Sequence, residues 1–128
     1  MSEPKYYQDY KDRIEQERYL KNLAYLYRSI KGIISDIQAI IDGDDNPIEY
    51  INDMEDNIQS VENMLENIFN IKLSIKDYIL QNKYQQLIQL LENSSKNIMK
   101  AYIQEKNKCD EQTWKYYWHE YNYSDPSL

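Results

Sequence analysis

The chain has little of what most active sites are built from: its 128 residues hold one Cys, one His, two Gly and three Pro. A lone thiol, Cys109, cannot form an internal disulfide, which fits a reducing compartment. Gly32 and Gly43 stand alone, so no glycine-rich phosphate loop exists. His119 has no second His to share a metal, and the pair His119-Glu120 has no partner at ligand spacing. Cys109 and His119 would lie about 15 Å apart on a helix and off one face, too far for a thiolate and its base. No apolar run approaches the roughly 18 residues of a membrane helix. The opening MSEPKYYQDY is too polar for a secretory leader. These absences point to a cytoplasmic, non-enzymatic protein with no cofactor, no metal and no membrane partner.

What is there is helical. Scarce Gly and Pro leave room for few loops, and 41% hydrophobic residues in 128 positions are enough for one core. A single helical domain over 1–128 is expected, with 1–18 a polar helical extension and 123–128 a frayed tail. One Val and three Ala against abundant Ile, Asn, Lys and Tyr indicate an AT-rich genome. Codon bias does not explain 14 Tyr beside one Phe, because both have AT-rich codons. A ring carrying a hydroxyl suits a half-buried boundary whose tip reaches water or a polar partner.

Spacing sets the elements. Leu20, Leu23, Tyr27, Ile30, Ile34, Ile37 and Ile41 step by three and four, the stripe of one helix, and Leu26, Ile33 and Ile40 widen it enough to touch two partners. The stretch IDGDDNP, 41–47, is a stop: Gly43 suits the left-handed residue after a helix, Asn46 an N-cap and Pro47 the first helical position. Glu49 completes a capping box. Ile51, Met54, Ile58, Val61, Leu65 and Ile68 then form a second stripe that continues through Ile71, Ile75 and Ile79. A third, Tyr84, Leu87, Leu91, Ile98 and Tyr102, starts in another phase, so a turn is placed at Gln81-Asn82-Lys83. The resulting expectation is an all-α antiparallel bundle of three long helices, approximately 5–42, 47–80 and 83–120. The alternative is four shorter helices, with breaks at 70–74, where Ser74 and Asp77 could cap, and at 93–95.

Charge is segregated along this order. Residues 32–71 carry ten Asp or Glu and no Lys or Arg, whereas residues 1–31 and 72–108 each carry seven basic residues. An acidic middle flanked by basic helices could satisfy itself inside the bundle, although an exposed pair contributes only ~0–1 kcal/mol. A net charge of −7 argues against nucleic acid as a partner, because phosphate neutralisation supplies most of such affinity. The acids Asp42, Asp44 and Asp45 lack the alternating ligands and distal Glu of a calcium loop.

Two segments are left as candidate contact surfaces. WKYYWHEYNYSD, 114–125, holds two Trp and four Tyr. On a helix Trp114, Trp118 and Tyr121 share a face with Tyr117 beside them, where such rings either close the end of the bundle or anchor a partner protein. The acidic middle offers Asp44, Asp45, Glu49 and Asp53. The expected function is therefore a protein–protein interaction module: an adaptor, a chaperone-like companion or a structural subunit, its partner another protein or a second copy of itself. The alternative is a small acidic inhibitor or immunity factor of bacterial, phage or plasmid origin that blocks an enzyme through the acidic segment. Tyr121-Asn-Tyr-Ser-Asp125 is similar to the export string of small helical type VII secretion proteins. Composition alone supplies about two such strings and two occur, so the similarity leaves secretion association as a third reading.

Overall fold

The computed structural model describes residues 5–111, with side chains described for 12–108. It consists of five α-helices: α1 Lys5–Ile41, α2 Pro47–Asp53, α3 Glu55–Phe69, α4 Ile75–Leu80 and α5 Tyr84–Glu111. The all-α class is as expected. Among the described residues no helix is long and apolar enough to cross a membrane. Contacts divide the chain into two units, one of α1 up to Tyr25 with α5 from Ile98 onward, the other Leu26–Asn97.

In the first unit α1 buries Leu20, Leu23 and Ala24, and α5 buries Ile98 and Tyr102. The two helices are tied by a hydrogen bond in which Gln16 Nε2 donates to Glu105 Oε1 at 2.9 Å. Glu105 also receives Lys108 at 3.8 Å, one turn along the same helix. Arg13 is buried here too, at 4% exposure, so the segment expected as a polar extension has an inward side.

The second unit holds most of the core. From α1 come Leu26, Ile30, Ile33, Ile37 and Ile40, all buried, and from the later helices Ile51, Ile58, Val61, Leu65, Ile75, Ile79, Leu87 and Leu91. Of the two expected stripes of α1, Leu26, Ile33 and Ile40 are buried throughout, while in the other Tyr27 and Ile34 are half-buried and Ile41 is exposed. Burying each such side chain contributes roughly 1.5–3 kcal/mol against leaving it in water. The helix α4 is the common neighbour of α2 and α3.

The expected second helix, 47–80, is divided into three. At Met54 the division is a bend: Met54 N–H still bonds Tyr50 C=O at 2.9 Å and Ile58 N–H bonds Met54 C=O at 2.8 Å, so the ladder runs through. At Asn70 it is a true end. Asn70 adopts φ 56° and ψ 34°, and its N–H returns to the Glu66 and Leu65 carbonyls. Asn tolerates this left-handed conformation better than other residues with a Cβ. After 71–74, α4 starts behind Ser74, whose side chain makes no capping bond. Glu62 of α3 supplies the cap instead, its Oε2 accepting from Ile75 N–H at 2.8 Å. A carboxylate is the stronger acceptor and complements the positive end of the helix.

The turn at 81–83 forms where the phase slip placed it. The break expected in the alternative at 93–95 does not: α5 continues, with Ser94 and Ser95 buried in the gap between Leu91 and Ile98. Ser95 Oγ donates to the Glu92 carbonyl at 2.7 Å, which satisfies the hydroxyl within its own helix. Seven tyrosines have described side chains. Five are half-buried or exposed, as a boundary role requires, and Tyr50 and Tyr102 are buried.

Candidate functional site

The acidic segment is built on a turn closed by two backbone hydrogen bonds. Gly43 N–H bonds Ile40 C=O at 3.1 Å and Asp44 N–H bonds Ala39 C=O at 2.9 Å, with Gly43 at φ 81°. This is the Schellman closure of α1. Three residues on, the Asn46 side chain accepts from Ile48 N–H at 2.9 Å and Glu49 N–H at 3.1 Å, which opens α2 behind Pro47. The Asn46 half of the expected capping box is therefore in place.

This scaffold presents the predicted acids outward. Asp44 and Asp45 are exposed in the turn, and Glu49 and Asp53 are exposed four residues apart on α2. Of the ten acids in 32–71, Asp42, Asp44, Asp45, Glu49, Asp53, Glu55, Asp56 and Glu66 are exposed. The other two, Asp36 and Glu62, are half-buried, and Glu62 is occupied with α4. Among the described residues no Lys or Arg comes within salt-bridge distance of the eight exposed carboxylates. Among the described residues, the internal neutralisation that the charge order suggests does not take the form of ion pairs to these eight carboxylates. Two apolar residues stand out beside them, Ile41 at 38% and Ile48 at 54% exposure.

Beneath the turn lies a residue that sequence reading passed over. Tyr50 of α2 is buried to 5% exposure, and its hydroxyl is shut from water without a well-formed hydrogen bond. Burial first, then the negative charge of Asp36, then a loose contact with that carboxylate, and last the charge of Asp45, hold the phenol far above its ordinary pKa. The signal in the sequence was the phase Tyr50, Met54, Ile58, Val61, which steps by four, four and three. It was masked by the equally periodic Ile51.

The other candidate surface, Trp114, Tyr117, Trp118 and Tyr121, lies outside the described residues, as do Cys109's side chain and His119. Among the described residues no three His, Cys, Asp or Glu side chains gather as a metal ion would need. No protein family, curated protein or solved structure matches the chain.

Proposed function

We propose that this chain is a non-enzymatic helical module, cytoplasmic, that works by binding another protein through the acidic edge of Asp44, Asp45, Glu49 and Asp53. One observation carries the reading: eight exposed carboxylates in one segment have no described cation beside them. Most of the long stripe of α1, Leu20, Leu23, Leu26, Ile30, Ile33, Ile37 and Ile40, is buried within the chain and so is not a free docking face. Complementary potentials steer encounter and fix register, so a basic surface is the partner this edge fits. Inhibition of a partner enzyme is the second reading on the same edge, and it differs only in whether the bound partner loses activity.

Affinity capture compares the wild-type chain with a variant carrying Asp44→Lys, Asp45→Lys, Glu49→Lys and Asp53→Lys. A basic protein enriched by the wild type and lost at least tenfold by the variant supports the reading. The same proteins retained by both, or none by either, removes it. Light scattering on the purified chain tests self-association separately.

A further inference from the structure

We infer that the surface met by the acidic edge is the basic turn after α4 on a second copy of this chain, so that copies join head to tail. The inference rests on the acidic edge being a docking face, and it goes further in naming the partner and the place on it. The Leu26–Asn97 unit carries two turns of one backbone pattern. Gly43 is the left-handed residue of the first, where Asp44 N–H bonds Ala39 C=O, and Asn82 that of the second, where Lys83 N–H bonds Tyr78 C=O. Two residues before the left-handed one, each turn exposes a large aliphatic side chain, Ile41 at 38% and Leu80 at 48%. One residue after it the charges are opposite, Asp44 and Lys83.

Large apolar side chains are exposed at four places in this unit, Ile41, Ile48, Leu80 and Leu90, and three of the four stand at the two turns. Each is edged by charge of one sign. Ile41 and Ile48 flank Asp42, Asp44 and Asp45, whereas Leu80 has Lys76 one turn back along α4 and Lys83 just beyond it. An apolar centre with a charged rim is the make-up of a docking patch. Among the described residues the exposed side chains of Lys76 and Lys83 have no carboxylate within salt-bridge distance, just as the acids of the first turn have no cation. Both signs are therefore left unbalanced in one unit. An unrelated basic protein would answer the acids and leave the lysines bare, while a second copy answers both with one contact. Because the two patches differ, that contact is heterologous and leaves one of each kind free, so copies add on until a ring closes.

The test is the molar mass of the full-length chain by light scattering, from micromolar to millimolar concentration at low salt. Mass should climb past that of two chains as concentration rises. Asp42→Asn, Asp44→Asn and Asp45→Asn together keep only the basic patch, and Lys76→Gln with Lys83→Gln keep only the acidic one, so each variant should stay monomeric. Mixed in equal amounts they should form dimers and nothing larger, since the one native contact leaves no free end that can continue. A mixture no heavier than its components would overturn the head-to-tail contact. Leu80→Ser should weaken association about tenfold, the effect of losing one anchor, with an unchanged melting temperature. Undiminished association of that variant would overturn the apolar centre of the patch. Lys96→Gln with Lys100→Gln, the same charge change at exposed positions further along α5, should have far less effect than Lys76→Gln with Lys83→Gln, and an equal loss would overturn the place. Wild type that is still a monomer at millimolar concentration would overturn self-association altogether, while the capture experiment would still decide whether another protein docks on the acidic edge.

Discussion

Two turns in the Leu26–Asn97 unit have the same backbone and opposite surroundings. After α1, Gly43 N–H bonds Ile40 C=O at 3.1 Å and Asp44 N–H bonds Ala39 C=O at 2.9 Å; after α4, Asn82 N–H bonds Ile79 C=O at 3.1 Å and Lys83 N–H bonds Tyr78 C=O at 2.9 Å. Each has its left-handed residue at the same point, Gly43 at φ 81° and Asn82 at φ 59°. The first turn is set with Asp42, Asp44 and Asp45, the second with Lys83. Each also has a tyrosine. Tyr84 donates to Asn82 Oδ1 at 2.9 Å, whereas the Tyr50 hydroxyl is buried without such a bond. One backbone motif thus tolerates either charge, so the acids are not there to close the turn. They even sit at the negative end of α1, whose last turn holds no basic residue.

The most damaging change to this parallel is a branched residue at the left-handed position. Gly43→Val should lower stability by about 1–2 kcal/mol or more, since a Cβ there meets no neighbour and the loss is purely conformational. Asn82→Val should lose a similar amount, and Gly43→Asn much less, because the second turn already runs on Asn. Urea melts of the three variants check this, and a harmless Gly43→Val would break the equivalence of the turns.

Helix starts provide the next contrast, of about 1 kcal/mol each. Asn46→Ala should destabilise by that amount, because Asn46 caps α2 through its own side chain. Ser74→Ala should be nearly silent, while Glu62→Ala should show the loss, since Glu62 holds Ile75 N–H from another helix. Thermal melts that ranked Ser74→Ala above Glu62→Ala would show the cap to be local after all.

These contrasts mark what could be read from the residues. The Gly43–Pro47 turn was legible because every signal in it is local: a glycine, a capping side chain and a proline within five positions. The Asn82 turn was legible only through the change of stripe phase, because Asn is a weaker mark than Gly. The break at Asn70 stayed one of two alternatives, since the apolar stripe continues across it through Ile71 and Ile75. Glu62 as a cap was beyond reach, as it acts across 13 residues. The acids of the candidate surface were visible by composition, but Asp36 and Tyr50 turn inward for reasons of packing that the linear order does not show.

The tyrosine contrast is tested by alkali. The phenol of Tyr50 is held above its ordinary value of about 10 in the folded chain, so the folded state keeps a proton that the unfolded state releases. Its contribution to stability is complete below that value and is lost as pH rises above it. Wild type should therefore lose stability above pH 10 faster than Tyr50→Phe, whose hydroxyl is gone. Identical pH profiles in chemical melts would mean that Tyr50 is not the shielded group described.

The smallest expected effect bears most on what the acids are for. Asp42→Asn, Asp44→Asn and Asp45→Asn together leave every backbone bond of the turn in place and remove three exposed like charges beside the negative end of α1. Surface changes of this kind usually fall within about 0.5 kcal/mol, and relief of repulsion pushes this one toward higher stability. The gain should shrink as salt rises, because screening already weakens the repulsion between exposed charges. A melting temperature that falls instead, and falls equally at high and low salt, would mean that the carboxylates make structural contacts of their own. They would then be part of the turn, and the difference between the two turns would no longer point to a partner.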